Sequence, residues 1–385
     1  MRLLKIGVYY PAYLGQFYAR RPGLAAEPYA AQHAALIDDC FGSSDFWTGA
    51  LSQLGYETCD LTINAEPLQR AWAAEHGLAF DEAGWLFQIT EAQVRDFRPD
   101  VLIVADYSTM TAAFLRRLRD ACPSIRLVLG WCGAPYGDGS VFAEWDVVLS
   151  CVPELVSHFR EAGHRSRHVN HAFEPRVLER LGSGTAAAAD FVFTGSLVKS
   201  ERFHLGREKL LSRLVEETGL QVWSDVGPPP PPPHSRLRRV VRALRGASRA
   251  PQSSVDARIA RRARPPLFGL DMFRQLRAGR VALNTHIDIS THSASNMRLF
   301  EATGVGACLL TDWKENLGEL FEQDAEVVAY RDAEECVEKV KYLLAHESRR
   351  RDIAAAGQRR TLRDHSFASR AAIIDAVIRE ELSKG

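Results

Sequence analysis

Short runs of strand-forming residues, each followed by a segment with helical spacing of its apolar residues, constrain the fold more than any other feature of the sequence. Runs such as VLIVAD and RLVLGW are apolar almost throughout, which is typical of strands buried on both faces of a parallel sheet. In the N-terminal half the predicted strands are Leu3–Tyr10, Glu57–Thr62, Val101–Asp106, Arg126–Trp131 and Val147–Ser150. The predicted helices between them are Phe46–Leu54, Thr90–Phe97, Thr109–Ala121 and Pro153–Ala162. Residues 1–185 are therefore predicted to form a doubly wound, Rossmann-like domain.

The same alternation starts again after the alanines at 186–189. Strands are predicted at Asp190–Thr194, Leu220–Ser224, Arg280–Asn284, Ala307–Thr311 and Glu326–Tyr330, and helices at Gly206–Thr218, Ala333–Ala345, Ser348–Leu362 and Phe367–Leu382. A chain of 385 residues is long enough for two domains of ordinary size. We predict a second Rossmann-like domain over 186–365, and a C-terminal helix within 366–385 that packs back on the first domain.

Charge and cysteine usage exclude several classes of protein. The 48 basic residues balance the 48 acidic ones, so no overall field points to nucleic acid or membrane as a partner. The seven cysteines include no C-x-x-C pair, which argues against a disulfide scaffold or a structural zinc site and favours a reducing compartment. No apolar run approaches the ~18 residues that span a bilayer. We expect a cytoplasmic protein, with peripheral contact to a membrane as an option.

The segment 227–265 interrupts the alternation of strands and helices. It opens with six consecutive prolines at 228–233, which favour polyproline II structure. Ten arginines then face a single acid, Asp256, between His234 and Arg264. One interpretation is an inserted surface loop, and the other is a clamp for an anionic surface such as phospholipid headgroups. No aromatic residue lies between the arginines, so we expect no nucleic-acid partner.

The most informative stretch is VALNTHIDISTHSASNMRLFEATGVGACLLTDW, which starts at Val281. A strand ends near Asn284, a polar loop follows, and a helix is predicted to open near Ser295. The N-cap candidates are Ser293, Ser295 and Asn296. A helix N-terminus presents free N–H groups and a positive dipole end, which together suit a diphosphate.

Two charged residues extend this predicted nucleotide site. Arg298 would add a permanent cation one turn into the helix. Glu301 would accept hydrogen bonds from both hydroxyls of a ribose. The loop, the helix start, the cation and the acid together predict a site for a nucleotide diphosphate.

The pattern N-M-R-x-F-E-A-x-G-x-G-A-x-L-L-T-D, followed by E-L-F and V-x-Y-R-D-x-E-E, resembles the CgeB-like (spore-maturation-type) GT-B glycosyltransferases. The resemblance covers about Asp190–Ile374 and is strongest over Asn296–Asp332. It implies a GT-B fold, with a cleft between two Rossmann-like domains, and metal-independent transfer of a hexose-like sugar from a nucleotide-diphosphate sugar. The donor is a co-substrate, so no cofactor is expected.

The resemblance also implies residue roles. Glu301 matches the second acid of the E-x7-E motif of many retaining enzymes and would bind ribose. Eight positions earlier stands Ser293 instead of the first acid, which in those enzymes contacts the donor sugar. Donor choice therefore stays open, and retention of configuration is favoured only through the resemblance.

A second loop is implied to supply cations to the donor phosphates. Gly195 and Ser196 follow a predicted strand, and Lys199, Arg202 and Arg207 come soon after. Relatives often have arginine where Ser196 stands, so Lys199 or Arg202 would have to provide the charge. The alternative is that these cations are simply solvated.

The N-terminal half offers candidates for the acceptor, which would be a sugar, a lipid-linked molecule or a small molecule. Tyr13, Gly15 and Gln16 follow the first strand, and Gly15 would let the backbone approach a ligand. Trp131 ends another strand at the carboxyl edge of the sheet, where such folds bind ligands. His171 and Asp106 are the candidate general bases for an inverting reaction. Asp106 equally suits a cap for the next helix, and His171 a structural role.

Sequence motifs for other kinds of binding site and catalysis are weaker or missing. His286, Asp288 and His292 match no strong metal-binding spacing, so no metal site is predicted. No G-x-G-x-x-G follows the first strand, and no P-loop is present. A nucleotide-sugar epimerase on the same fold and a non-catalytic nucleotide- or glycan-binding module remain as alternatives to glycosyl transfer.

Overall fold

The computed structural model describes residues 1–182, 189–197, 204–226 and 255–384. Within these ranges the chain forms two six-stranded sheets in which every strand pair is parallel. Helices pack on both faces of each sheet. The tandem Rossmann-like architecture predicted from the strand pattern is confirmed.

The first sheet has the strand order β2-β1-β3-β4-β5-β6. Its central strands are buried over their whole length, as the continuous apolar runs predict. Its strands are β1 (Arg2–Gly7), β2 (Glu57–Thr62), β3 (Val101–Val104), β4 (Leu127–Trp131), β5 (Val147–Ser150) and β6 (Ser166–His168). Its helices are α1 (Pro11–Ala19), α2 (Tyr29–Asp38), α3 (Phe46–Ser52), α4 (Glu66–Glu75), α5 (Trp85–Phe97), α6 (Ala112–Ala121), α7 (Pro153–Glu161) and α8 (Arg176–Leu181), with 3-10 turns at Leu24–Ala26 and Ser140–Glu144.

The second sheet has the order β12-β11-β10-β7-β8-β9. Its strands are β7 (Ala189–Thr194), β8 (Leu220–Trp223), β9 (Ala263–Arg264), β10 (Gly279–Asn284), β11 (Cys308–Asp312) and β12 (Val328–Tyr330). The helices that follow α8 are α9 (Leu205–Glu217), α10 (Ala257–Ala260), α11 (Gly269–Ala278), α12 (Met297–Gly304), α13 (Leu317–Leu320), α14 (Ala333–Ala345), α15 (Glu347–Asp364) and α16 (Phe367–Leu382). None of the helices in the described ranges is long and apolar enough to cross a membrane.

The predicted insertion 227–265 is partly a regular element of the second domain. Residues 227–254 lie outside the described part of the chain, together with six of the ten arginines. The remainder forms α10 and β9, and β9 pairs with β8 at the sheet edge. Arg258 is paired with Asp256 and Glu216, and the Arg264 guanidinium lies 5.0 Å from the centre of the Trp223 ring. These two arginines are thus engaged within their own domain.

The last helix, α16, packs against α3 of the first domain. The Tyr56 hydroxyl donates to Asp375 at 2.7 Å, and Arg165 forms an ion pair with Glu381 at 2.6 Å. The chain therefore passes from the second domain back to the first, and the two domains share one apolar cluster that includes Phe173 and Ile374.

The two passages between the domains lie side by side. The Phe173 N–H donates to the His365 carbonyl at 2.9 Å, and the Phe367 N–H donates to the Phe173 carbonyl at 3.3 Å. A Cβ added at Gly304 would stand 2.3 Å from the Phe173 ring, so α12 approaches this crossing as closely as a glycine allows. The crossing is tightly packed.

His365 lies inside this crossing as a neutral imidazole. Its Nε2 lies 2.8 Å from the Leu320 carbonyl and its Nδ1 2.9 Å from Arg370 Nη2, so Nε2 donates and Nδ1 accepts. Burial lowers the pKa of His365 to about 4; the Leu320 carbonyl opposes the shift and the charge of Arg370 adds to it. Protonation of His365 would put an N–H donor on Nδ1, opposite the Arg370 guanidinium, which itself has only donors.

We predict that acid destabilises the chain through His365. Its pKa is about 6.5 when unfolded and is lower when folded. Its stabilising contribution is therefore complete above pH 6.5 and is lost as the pH falls from 6.5 towards 4. The loss is about 3 kcal/mol.

The measurement is the free energy of unfolding in urea at several pH values. His365→Gln should lose less stability between pH 7 and pH 4 than the wild type. The exposed His346, at the N-terminal end of α15, provides the control, because His346→Gln should retain the wild-type slope. Equal slopes for wild type and His365→Gln would show that another group is responsible.

Candidate active site

The second sheet has its topological switch point between β7 and β10, where open parallel sheets form a ligand-binding crevice at the strands' carboxyl ends. Arg207, on α9, bridges the two loops that follow these strands. Its Nη1 donates to the Ser196 carbonyl at 2.9 Å, and its Nη2 donates to the Thr285 carbonyl at 2.8 Å. The guanidinium thereby fixes both edges of the crevice.

Arg207 is buried, with 7% of its surface exposed. Burial lowers its pKa to about 10, while the charges of Asp312 and Asp288 oppose the shift. The side chain therefore stays protonated at neutral pH. Its Nε has no hydrogen-bond partner among the described residues. A permanent positive charge with a spare donor lies at the crevice.

The N-terminus of α12 lies beside this crevice, since α12 follows the loop after β10. Asn296 is its N-cap residue, yet its side chain makes no capping hydrogen bond. Instead, the amides of Asn296 and Asn284 pair reciprocally, at 2.7 and 3.1 Å. The amide pair holds the helix start against β10 and leaves the first-turn N–H groups uncapped by this side chain. Uncapped N–H groups at a positive helix end are a site for an anion.

Arg298 and Glu301 form an ion pair on α12, with 2.6 Å between Arg298 Nη1 and Glu301 Oε2. Both side chains are largely buried, at 18% and 8% exposure. Burial raises the pKa of Glu301, and the charge of Arg298 opposes the shift. Glu301 Oε1 has no donor among the described residues, so one oxygen of this carboxylate is available to a ligand.

The first sheet has its switch point between β1 and β3. Tyr10 follows β1 and is 66% exposed. Desolvation raises the pKa of its phenol, and the charges of Asp225 and Glu301 raise it further. Both acids belong to the second domain, so Tyr10 lies within electrostatic range of the Arg298–Glu301 pair. The two crevices face each other across a cleft.

Comparison with known proteins agrees with this arrangement. Residues 235–376 match the model of a family described as glycosyl transferase-like. No curated protein matches the sequence.

Three solved structures extend over the whole chain. Sucrose-phosphate synthase from Thermosynechococcus elongatus is 11% identical with a TM-score of 0.56, covering 100% of both chains. A glycosyltransferase from Rickettsia africae is 10% identical with a TM-score of 0.57, covering 100% of this chain and 99% of that one. HepE from Anabaena, in complex with UDP-glucose, is 11% identical with a TM-score of 0.55, covering 99% of this chain and 100% of that one. The chain has the GT-B fold.

In this GT-B fold the predicted N-cap serines have structural partners. Ser295 is buried, and its hydroxyl lies 2.9 Å from that of Ser290. The backbone N–H groups of Ser293 and His292 both donate to Glu154 Oε1, at 3.1 Å each. Glu154 belongs to the first domain and did not stand out in the sequence.

The second predicted donor loop is described only in part. The Gly195 N–H donates to the Trp223 carbonyl at 3.1 Å, which closes the turn after β7. Ser196 contributes its carbonyl to Arg207. Lys199 and Arg202 lie outside the described residues, so their roles stay predictions. In the described part of the chain, Arg207 supplies the buried cation of this loop.

The residues weighed as metal ligands have separate partners. His286 pairs with Asp312 at 2.7 Å, and His292 pairs with Glu315 at 2.8 Å. Asp288 accepts from the Leu205 N–H at 2.8 Å. In the described part of the chain, no three His, Cys, Asp or Glu side chains converge as metal ligands would.

Tyr13, Gly15 and Gln16 follow β1, as predicted, and lie within helix α1. Gly15 is exposed, and an added Cβ would meet no atom of the protein within 4 Å. The Tyr13 hydroxyl donates to Asp39 at 3.0 Å. Tyr13 and Gln16 nevertheless line a pocket of about 300 Å³ between the domains, with Phe268 and Arg274 from the second domain on its other side.

Neither candidate general base, His171 or Asp106, is a solvent-exposed side chain free of other contacts. His171 packs against Trp131, with 5.2 Å between ring centres. Burial, followed by the charge of Arg370, lowers the pKa of His171 to about 4. The Asp106 carboxylate accepts hydrogen bonds from the N–H groups of Ser108, Thr109 and Met110. Asp106 thus holds the turn that precedes α6 and does not cap the helix itself, because the N-cap of α6 is Thr111, whose side chain accepts from the Phe114 N–H.

We predict that Asp106→Ala lowers stability by about 1–3 kcal/mol, because it leaves buried N–H groups without an acceptor. Folded protein should keep its affinity for nucleotides. Urea denaturation and nucleotide titration measure the two effects, and Asp120→Ala, at an exposed position of α6, is the control. A variant with wild-type stability that had lost catalysis would instead support a role for Asp106 as the base.

Proposed function

We propose that this protein is a glycosyltransferase that moves a sugar from a nucleotide-diphosphate sugar, bound by the second domain, to an acceptor bound by the first. The observation that carries the proposal is the convergence at one switch point of an uncapped helix start, the buried Arg207 and the Arg298–Glu301 pair. The match of residues 235–376 to a glycosyl transferase-like family supports it. The HepE structure, which holds UDP-glucose, recommends uridine nucleotides as the first donors to test.

The proposed chemistry follows from the charge of the leaving group. When the bond between the sugar and the diphosphate breaks, negative charge grows on the departing phosphate oxygens. The N–H groups at the start of α12, with Arg207 and Arg298, stabilise that charge without having to reorganise. We propose that this set suffices without a metal ion, in which case chelation by EDTA leaves the rate unchanged.

We propose that transfer retains the configuration of the sugar. An inverting reaction needs a general base on the acceptor side. A histidine with a pKa near 4 is a weak base, and the Asp106 carboxylate already accepts several hydrogen bonds. In the retaining route the departing phosphate accepts the proton of the acceptor hydroxyl. Nuclear magnetic resonance of the product's anomeric centre decides between the two.

The acceptor is proposed to enter from the first domain, near Tyr10, Trp131 and the pocket lined by Tyr13 and Gln16. A sugar, a lipid-linked molecule and a small aromatic molecule all suit a pocket with both aromatic and charged walls. We further propose membership of the CgeB-like group, on the motif at Asn296–Asp332.

We predict that Glu301→Ala lowers affinity for the nucleotide diphosphate by about 10- to 100-fold, since hydrogen bonds from the ribose hydroxyls to a charged group are lost. Glu301→Gln should lose less, because its amide oxygen still accepts. Isothermal titration calorimetry with UDP, GDP and dTDP measures the change. Glu338→Ala, on the exposed face of α14, is the matched control. Unchanged affinity in Glu301→Ala would refute the ribose assignment.

The activity itself is tested by incubating the protein with UDP-, GDP- and dTDP-sugars and measuring release of the nucleotide diphosphate. Release with at least one donor is expected, with the rate rising when an acceptor is added. Formation of an epimer without release would indicate an epimerase. Binding without any turnover would indicate a non-catalytic module.

A further inference from the structure

Glu154 connects the first domain to the loop that precedes α12. It lies in the first turn of α7, just after β5, and its Oε1 accepts from the N–H groups of His292 and Ser293 at 3.1 Å each. The sequence separation between the partners is 138 and 139 residues, so only the facing of the two domains brings them together.

The loop 285–296 is already held by its own domain. The Ala294 N–H donates to the Asn316 side chain at 2.6 Å, and the Ser290 and Ser295 hydroxyls are paired. Lys314 donates to the Thr291 carbonyl at 3.3 Å. The N–H groups of His292 and Ser293 are left to Glu154, and a single oxygen, Oε1, accepts from both. Supporting the loop therefore accounts for one oxygen of the carboxylate and not for the other.

The second carboxylate oxygen of Glu154 lacks the hydrogen bonds that a buried oxygen normally accepts. Oε2 is inaccessible to solvent and has no hydrogen-bond partner among the described residues. A buried carboxylate oxygen without a donor is unfavourable, which makes a bound hydroxyl group a suitable partner. The loop's own acid, Asp288, is turned towards the start of α9 by the Leu205 N–H. Glu154 therefore brings a carboxylate from the opposite domain to this loop.

We propose that Glu154 determines donor-sugar specificity: Oε1 fixes the loop 285–296, and Oε2 accepts a hydrogen bond from a hydroxyl of the sugar attached to the nucleotide diphosphate. This inference rests on the proposed function. Nucleotide binding uses groups of the second domain alone, whereas sugar recognition uses Glu154 and requires the two domains to face each other. The contribution of the sugar to binding therefore depends on the two domains facing each other.

The test compares each nucleotide diphosphate with its glucose conjugate in Glu154→Gln. The glutamine oxygen can still accept from the two loop N–H groups, while an NH₂ group replaces Oε2, so a donor stands where the sugar hydroxyl needs an acceptor. We expect affinity for UDP, GDP or dTDP to stay within about twofold, and affinity for the corresponding glucose conjugate to fall about tenfold or more. Glu161→Gln, at the exposed end of the same helix, should leave both affinities unchanged.

Glu154→Ala, which also removes the loop contact, should show at least the same loss for the sugar conjugate, with unfolding measured for both variants. If Glu154→Gln bound the sugar conjugate as the wild type does, Oε2 would not contact the sugar and the inference would be wrong. Parallel loss of affinity for nucleotide and conjugate would reduce Glu154 to a support for the loop and overturn the inference. If the wild type bound none of the nucleotides, the proposed function would fail, and this inference with it.

Discussion

The crevice of the second domain depends on the hydrogen bonds that the buried Arg207 guanidinium donates to the two loops beside it. Moving a cation from water into a protein interior costs several kcal/mol unless it is well paired. Here two loop carbonyls and the nearby charge of Asp312 offset that cost, and burial still lowers the pKa of the side chain. Because the carbonyls belong to the loops after β7 and β10, the same contact that keeps the cation charged also sets the width of the crevice.

The two domains are joined by contacts of different kinds at the crossing and across the cleft. At the crossing, Phe173 packs against Gly304 and shares backbone hydrogen bonds with the start of α16. Across the cleft, polar contacts such as Glu154 with Ser293 and Arg20 with Asp271 accompany the aromatic contact of Phe268 with Tyr13. Apolar, interlocked packing resists displacement, whereas an exposed ion pair such as Arg20–Asp271 exchanges with water at little cost. The crossing is therefore the firmer of the two connections between the domains.

The sequence predicted the fold class well because buried parallel strands need continuous apolar runs. The strands Glu57–Thr62 and Val147–Ser150 and the helices Ala333–Ala345 and Phe367–Leu382 have the predicted bounds. The edge strands β6 and β9 were missed because they are too short to show a pattern. Helix α1 was missed because Pro11 was taken as the end of a strand, whereas proline is equally favoured in the first turn of a helix.

The site was less predictable than the fold, for physical reasons. Local spacing identified Asn296, Arg298 and Glu301, because they share one helix start. It did not rank Arg207 above Lys199 and Arg202, since nothing in a polar segment shows which cation is buried. Glu154 was missed because its partners are more than a hundred residues away. Residues whose roles come from long-range pairing carry no signal in a single sequence.

The Arg298–Glu301 pair bears on how the proposed nucleotide site would exchange internal contacts for contacts with a ligand. The two buried charges satisfy each other, although burial keeps the pKa of Glu301 raised. A nucleotide diphosphate would offer ribose hydroxyls to the carboxylate and phosphate oxygens to the guanidinium. Each partner then gains a new contact without being left as an isolated buried charge, which is the costly state. A ligand that carried only one of these groups would leave the exchange incomplete, so the pair favours molecules in which ribose and phosphate are joined at a fixed distance.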